Sequence, residues 1–465
     1  MITDYKSIYF VGAGGIGMAA LERFFLSIGK KVAGYDRTAT ELTRNLEKEG
    51  VEIVYDECDE LIPDYCRNPE TTLVVYTPAV PAEHKGFCFF KNNGFTIMKR
   101  AQVLGMITAG SKGLCFAGTH GKTTTSSMAG HILHNSPIGC NAFLGGVLKP
   151  YNNNLLLSPE TEYSVIEADE FDRSSHWLKP YIAVITATDP DHLDIYGTEE
   201  AYLESFAHFT ELIRNDGFLI VHEGLKLKPR PSDGVKTFTY SRNEGDFHAE
   251  NIRIGNGDIV FDFVYPDGRI NDVKLGVPID INIDNAIAAI AACKLIGTTD
   301  IDIKNGIATF KGAKRRFDFW IKESGLPVVI DDYAHHPDEL RASIKSIKAL
   351  YPERKLSVIF QPHLFSRTRD FAPEFANALS YADEVWLTEI YPARELPIPG
   401  ITSEIILKDI KCANKSICEK KYLIEKIKNH NFDVLLTVGA GDICDYLPEI
   451  CNIIRSNAEE NSDIS

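Results

Sequence analysis

The chain has 465 residues, 44% hydrophobic and 25% charged, an ordinary composition for a globular protein and more chain than one core usually holds. Its formal net charge of −16, with a pI near 5.3, excludes a general nucleic-acid footprint. Anionic substrates must then be held by a few aimed cations, helix N-termini and metal ions.

The ten cysteines are scattered and form no CxxC pair, which argues against a zinc site or a redox dithiol and fits a reducing compartment. No stretch approaches the roughly eighteen apolar residues of a membrane span. The chain enters a strand and a glycine loop at once, without a basic leader or cleavage site. These features lead us to expect a cytoplasmic protein with neither membrane nor nucleic-acid partners.

The first segment opens with an apolar strand over 7–11, followed by a helix over 17–28 and strands over 31–35 and 72–76. Such alternation implies a parallel sheet. Between the first strand and helix lies Gly12-Ala-Gly-Gly-Ile-Gly17, a G-x-G-x-x-G loop carrying Gly12, Gly14, Gly15 and Gly17, with Asp36 ending the next strand. The loop specifies a diphosphate and not which nucleotide carries it; alone it would suggest a nicotinamide dehydrogenase with Asp36 on the ribose. Thr108-Ala-Gly-Ser-Lys-Gly113 is small and polar, and reads as a linker.

The second segment opens on Leu114–Ala117 and a second phosphate-type loop, Gly118, Thr119, His120, Gly121, Lys122 and Thr123, leading from Thr124 into a helix to 133. Glycines let backbone N–H groups approach phosphate oxygens, and the helix N-terminus adds partial positive charge. Lys122 suits the β- and γ-phosphates and the Thr123 hydroxyl suits Mg²⁺. Strict Walker spacing asks for glycine at 116; Phe116 makes this a variant loop.

Two acidic loops follow apolar strands: Glu167-Ala-Asp-Glu170 after 163–166, and Asp189-Pro-Asp-His-Leu-Asp194 after 182–186. Ligands gather at the carboxyl ends of parallel strands, and hard Mg²⁺ prefers oxygen donors such as Glu167. By its chemistry alone, His192 reads as a substrate or water contact. Short alternating strands are expected over 217–277, with a hairpin turn at Pro266-Asp-Gly268, then an alanine-rich helix over 285–296.

The third segment begins with a strand at 328–330. Its helix over 337–350 places Leu340, Ile344, Ile347 and Leu350 on one face. Strands follow at 356–360, 384–388 and 433–438, and residues 457–465 read as a disordered polar tail. Asp331-Asp-Tyr-Ala-His-His-Pro337 and His363-Leu-Phe-Ser-Arg-Thr-Arg369 each follow a strand, a setting for an anion or amino-acid site.

These motifs, taken together, resemble the Mur ligase family over nearly the whole chain. The pieces that carry the resemblance are the Gly118–Thr123 loop, the Gly12–Gly17 start, Asp332-Tyr-Ala-His-His-Pro337, Phe360-Gln-Pro-His363 and Ser366-Arg-Thr-Arg369. The resemblance implies an α/β protein of three domains. These are an N-terminal Rossmann-like parallel sheet (1–110), a central P-loop ATPase-type α/β domain with an added antiparallel β part (111–325), and a C-terminal Rossmann-like domain (326–465).

It also implies an ATP-dependent, ADP-forming reaction that joins L-alanine to the carboxylate of UDP-N-acetylmuramate through an acyl phosphate, by a monomer or homodimer. Carried over residue by residue, Lys122 and Thr123 would hold triphosphate and Mg²⁺, with Thr123, Glu167 and His192 as metal ligands. Asn282 and Asn285 would meet adenine, Arg316 the phosphates and Asp332 the ribose. Tyr333, His335 and Arg367 would hold alanine, whose amine gives its proton to His335 or His336.

Three positions depart from the family pattern: Leu364 where arginine is frequent, Ile281 where histidine often precedes Asn282, and Tyr35 where serine is common. A dehydrogenase has no use for the second phosphate loop, and a P-loop switch ATPase leaves the first and third sites idle. The sister ligase that attaches a recycled murein tripeptide shares the motifs. Its loop after the acidic motif is typically longer than 171–180 here, which favours free alanine.

Overall fold

The computed structural model describes residues 4–77, 80–81, 83–171, 173–190, 193–313, 315–393 and 395–462. Its contacts divide the chain into two compact units. One comprises Met1–Asn251, Phe261–Lys274 and Ile283–Phe310; the other comprises Ile252–Val260, Leu275–Asn282 and Lys311–Ser465.

In the first unit, strands β1 (Ser7–Val11), β2 (Lys31–Tyr35), β3 (Glu52–Val54), β4 (Thr72–Tyr76) and β5 (Thr96–Lys99) form a parallel sheet in the order β3-β2-β1-β4-β5. Helices α1 (Ile16–Ser27), α2 (Glu41–Glu49) and α3 (Lys85–Asn92) lie between these strands in the chain, and α4 (Arg100–Ala109) leads from β5 into the central sheet. Strand order reverses between β1 and β4, so the crevice opens at the carboxyl end of β1, where the glycine loop begins.

The central sheet holds β6 (Lys112–Ala117), β7 (Asn141–Leu148), β8 (Asn153–Leu156), β9 (Tyr163–Glu167), β10 (Pro180–Ile185), β11 (Phe218–His222) and β12 (Lys236–Tyr240). Their order is β12-β11-β10-β6-β9-β7-β8, with only the β7–β8 pair antiparallel. Helix α5 (Lys122–His134) follows β6. Because β6 is flanked by β9 and β10, the loops leaving all three emerge side by side. That neighbour relation builds the site.

The two sheets of this unit share one core. Phe24 of α1 meets Phe143 edge-on at 5.4 Å, and Phe10, Phe25, Leu155 and Ile166 are buried in the same cluster. Polar ties add direction: Asn154 donates to the Ile16 carbonyl at 2.6 Å, and Arg23 donates to Asn154 at 2.9 Å while pairing with Glu49 at 2.6 Å. The start of α1 is thereby fastened to the central sheet.

The expected run of short strands over 217–277 resolves into two parts. Strands β11 and β12 extend the parallel sheet, and only β13 (His248–Gly255), β14 (Asp258–Tyr265) and β15 (Gly268–Lys274) form a separate three-stranded sheet. The turn between β14 and β15 falls at Pro266–Asp267, as its composition predicts. Helices α6 (Leu193–Tyr196), α7 (Glu199–Glu211), α8 (Asn282–Leu295) and α9 (Asp300–Thr309) complete this stretch.

The second unit carries β16 (Asp318–Ile321), β17 (Val328–Asp332), β18 (Leu356–Phe360), β19 (Glu384–Leu387), β20 (Asn414–Ile417) and β21 (Val434–Val438) in the order β16-β17-β21-β18-β19-β20. All pairs are parallel except β16–β17. Helices α10 (Pro337–Leu350), α11 (Phe365–Asp370), α12 (Ala372–Leu379), α13 (Glu404–Leu407), α14 (Lys420–Lys428) and α15 (Leu447–Ser462) surround it. Leu340, Ile344, Ile347 and Leu350 are all buried, as the spacing on α10 predicts.

Two expectations need correction. Residues 108–113 are not a linker: Thr108 is fully buried within α4, its hydroxyl accepting the Lys179 N–H at 3.0 Å, and only 110–111 separate helix from strand. Small polar residues here serve a tight helix–strand turn. Nor is 457–465 wholly a disordered tail, since α15 runs to Ser462 and only 463–465 lie outside the described residues. Ile450, Cys451 and Ile454 bury one face of that helix, and an anchored helix propagates cheaply into good helix formers.

Candidate functional site

A cavity of about 790 Å³ lies in the first unit, lined from both of its sheets. Gly12, Gly14, Gly15 and Gly17 form one wall, with Tyr35 and Asp36; Glu167 and Asp169 face it from the central sheet. Asp36 accepts the Gly14 N–H at 2.6 Å, which shapes the glycine loop. A β-carbon at Gly14 would stand 2.8 Å from that carboxylate, so glycine is required by the close approach. Tyr35, at one of the unusual positions, packs its ring 4.1 Å from that of His84.

Arg100, at the first turn of α4, also lines the cavity, with its guanidinium against Gly17 and Nη2 3.4 Å from Asp169. The sequence reading missed it. A cation at the carboxyl end of a parallel strand, directly after β5, was the available signal.

The second phosphate loop follows β6. Gly118 has φ +139° and Gly121 φ +84°, and a β-carbon at Gly121 would lie 2.7 Å from Oδ1 of Asn285. A β-carbon at Gly118 would in turn stand 2.7 Å from the Ala187 nitrogen, so both glycines are required for backbone conformation and for space. Thr119 donates to the Asp189 carbonyl at 2.8 Å, and Thr125 donates to Asn285 at 3.2 Å. His120 sits between these anchors, its carbonyl accepting from the Thr186 hydroxyl. Thr124 is in the first turn of α5.

Thr123 donates to Oε1 of Glu167 at 3.1 Å. Lys122 donates to the Gly118 carbonyl at 2.6 Å and to Oε1 of Glu170 at 2.8 Å. Burial pushes the Glu170 carboxyl above the usual carboxylate range, against the pull of the Lys122 ammonium. His192 lies outside the described residues. Among the described residues no three His, Cys, Asp or Glu side chains gather at metal-binding distance. The Thr123 hydroxyl and Glu167 carboxylate are nonetheless hard oxygen donors at a helix N-terminus, a set that fits Mg²⁺ completed by phosphate and water oxygens.

The second unit brings together another group at the ends of β17, β21 and β18. Tyr333 is 41% exposed; the Arg315 guanidinium covers its ring at 4.8 Å and donates to the Gly439 carbonyl at 2.8 Å. The His335 ring lies 5.3 Å from Tyr333 and 6.1 Å from His363, and Arg367 Nη1 is 3.3 Å from His363 Nδ1. Burial and the Arg367 charge hold the His363 imidazole below its ordinary pKa.

His336 does not join this cluster: it caps α10, with its ring 5.2 Å from Phe371. Asp332 is engaged by the Ser343 hydroxyl and by the Phe317 N–H at 3.2 Å, and burial raises its pKa. Arg316 is exposed, whereas its neighbour Arg315 is the arginine tied to the cluster. Asn282 donates to the Val277 carbonyl at 3.1 Å. Leu364, the second unusual position, takes φ +67° at the start of α11, a region that is strained for a branched side chain. Ile281, the third, is 59% exposed.

Comparison with known proteins agrees with this arrangement. Family models match three successive stretches: "Mur ligase family, catalytic domain" over residues 7–112, "Mur ligase middle domain" over 116–293, and "Mur ligase, glutamate ligase domain" over 315–442. The UDP-N-acetylmuramate–L-alanine ligase of Phocaeicola vulgatus is 59% identical over 98% of this chain and 99% of its own. That of Porphyromonas gingivalis is 48% identical over 94% and 96%. The crystal structure of UDP-N-acetylmuramate–alanine ligase from Thermotoga maritima superposes with a TM-score of 0.77 at 28% identity, covering 97% of this chain and 99% of that one. A murein peptide ligase from Psychrobacter arcticus shares the fold, with a TM-score of 0.61 at 22% identity over 97% and 98%. The chain belongs to the Mur ligase family.

Proposed function

We propose that the protein is an ATP-dependent ligase that joins L-alanine to the muramate carboxylate of UDP-N-acetylmuramate, in the synthesis of peptidoglycan precursors. The observation that carries this reading is the 790 Å³ cavity, in which a diphosphate-type glycine loop faces Glu167 beside the Lys122 loop. The full-length likeness to alanine ligases of P. vulgatus and P. gingivalis supports it. A dehydrogenase or a switch ATPase accounts for one loop and leaves the other without a task.

On this reading the Gly12–Gly17 loop and Arg100 hold the sugar nucleotide, and its carboxylate attacks the γ-phosphate of ATP to give an acyl phosphate and ADP. Lys122 balances the charge on the transferring group, and Thr123, Glu167 and His192 would hold Mg²⁺, which supplies further charge neutralisation when bound. Asn282, Asn285, Arg316 and Asp332 are proposed to contact the nucleotide. Tyr333, His335 and Arg367 are proposed to hold alanine, with His335 better placed than His336 to take the amine proton because it shares the His363–Arg367 cluster. The neutral amine then displaces phosphate from the acyl phosphate and forms the amide.

The three-domain division at 1–110, 111–325 and 326–465, a cytoplasmic location, and action as a monomer or homodimer belong to the same proposal. No described helix is long and apolar enough to cross a membrane. The murein-tripeptide reading is less favoured, because only 171–179 separate the acidic motif from β10. The test supplies UDP-N-acetylmuramate, ATP and Mg²⁺ with each amino acid in turn and measures phosphate release. Release with L-alanine supports the reading; release only with a tripeptide, or without any sugar nucleotide, overturns it.

A further inference from the structure

Two consecutive carboxylates in the loop after β9 each hold a cation. Asp169 pairs with Arg100 on the cavity side, at 3.4 Å, and Glu170 pairs with Lys122 at 2.8 Å. The second pair is the more enclosed, with side chains 14% exposed for Lys122 and 5% for Glu170. An ammonium has three donors, and here all three find acceptors in the protein: Glu170 at 2.8 Å, the Gly118 carbonyl at 2.6 Å and the Thr119 carbonyl at 3.4 Å. Lys122 is therefore folded back on its own loop.

Glu170 is itself fixed in place. Its main-chain carbonyl accepts from the Tyr196 hydroxyl, which lies 3.3 Å from the Ser205 hydroxyl, and Ser205 is 2.9 Å from Nε2 of His176. The backbone at Glu170 is thereby anchored, which limits how far its side chain can follow the lysine when it moves. Removing its counter-ion leaves a buried negative charge, and breaking such a pair is costly.

We propose that Glu170 is a positioning residue for Lys122: it holds the ammonium against the loop carbonyls, and the phosphates of ATP bind by taking that ammonium from it. The affinity for ATP is then set by a competition between two anions for one cation, and not by the phosphate loop alone. Glu170 touches no substrate in this scheme; it acts through Lys122. The inference rests on the ATP reading of the loop given above.

The test is a double-mutant cycle on the full-length protein, read by calorimetric binding of Mg-ATP. Glu170→Gln should bind Mg-ATP about tenfold tighter, because the amide competes less well for the ammonium. In a Lys122→Met background the same change should alter affinity by no more than about twofold. Adenosine, which has no phosphates, should bind alike to the unaltered protein and to Glu170→Gln.

An equal gain in both backgrounds would mean that any negative charge near the triphosphate acts this way, and would overturn the proposal. Weaker binding by Glu170→Gln alone would also overturn it. Should Glu170→Gln fail to fold, judged by its melting curve, Glu170→Asp withdraws the carboxylate by one methylene and should give a smaller gain under the same criteria. Failure of the unaltered protein to bind Mg-ATP would overturn the ATP reading and this proposal together.

Discussion

The Thr123 hydroxyl lies 3.1 Å from Oε1 of Glu167, although the two residues are 44 positions apart. The cause is a strand pairing: β6 and β9 are parallel neighbours, Phe116 opposite Glu167, so the loop after one opens beside the last residue of the other. A hydroxyl and a carboxylate then meet at the N-terminus of α5, where a phosphate-bound Mg²⁺ would find both. Glu167→Gln should lower turnover by at least about a hundredfold and raise the Mg²⁺ concentration needed for half-maximal rate. Phosphate release titrated against Mg²⁺ checks this, and an unchanged metal requirement would count against Glu167 as a ligand.

Lys122→Ala removes the only charge that the phosphate loop itself supplies. Product formation should fall by about a thousandfold or more, while UDP-N-acetylmuramate still binds. Turnover assays paired with calorimetry of the sugar nucleotide separate the two effects. Unchanged turnover would refute the assignment of this loop to ATP.

Arg100 offers a cation to the cavity shared by the glycine loop and Glu167. Arg100→Ala should raise the KM for UDP-N-acetylmuramate about tenfold or more, with a smaller effect on the KM for L-alanine. Steady-state kinetics with each substrate varied in turn gives the answer, and an effect confined to alanine would remove Arg100 from the sugar-nucleotide site.

Glu22 is fully buried in α1, and its carboxyl oxygens meet no hydrogen-bond partner among the described residues. Burial raises its pKa well above the ordinary carboxylate value, Asp36 and Glu49 add to the rise, and Arg23 opposes it. The folded state therefore holds a proton that the unfolded state releases. Stability linked to this group is present below the unfolded pKa and is lost as pH rises through the folded value. Glu22→Gln, which mimics the protonated acid, should raise the melting temperature at pH 8 and change it little at pH 4.5. Equal melting curves at pH 8 would contradict the assignment.

His131 carries the opposite sign. It is buried in α5, with Nε2 3.0 Å from the Thr309 hydroxyl and Nδ1 2.7 Å from the Tyr151 hydroxyl, and burial lowers its pKa to about 4. The folded state resists protonation, so its stabilising effect is complete above the unfolded value of 6.5 and is lost as pH falls toward 4. The melting temperature should drop across that window, and His131→Gln should reduce the slope even if it lowers stability at pH 7. An identical slope in the variant would show that other groups cause the acid loss.

Much of this could be read without coordinates, because local rules govern it. Apolar strands followed by glycines announced both phosphate loops, and β1, β2, β4, α10 and β18 begin and end where the periodicity places them. Capping and turn chemistry act over a few residues, so Pro337 opening α10 and Pro266–Asp267 between β14 and β15 are local facts. The tail misreading shows the limit: polar composition past 456 suggested disorder, yet burial of Ile450, Cys451 and Ile454 sustains the helix from outside that stretch.

Which loops face one another is a different matter, because strand order is set by packing between segments far apart in the chain. Sequence alone named Lys122, Thr123 and Glu167 and the chemistry that suits them. Only the placement of β6 between β9 and β10, and of α1 against Phe143 and Asn154, decided that they share a neighbourhood with the N-terminal glycines. Packing in that unit also put Arg100 against Gly17 and turned Lys122 onto Glu170, and packing within the second unit set Arg315 rather than Arg316 against Tyr333. Residue types carry reactivity locally, whereas the distance between two reactive groups is a property of the whole core.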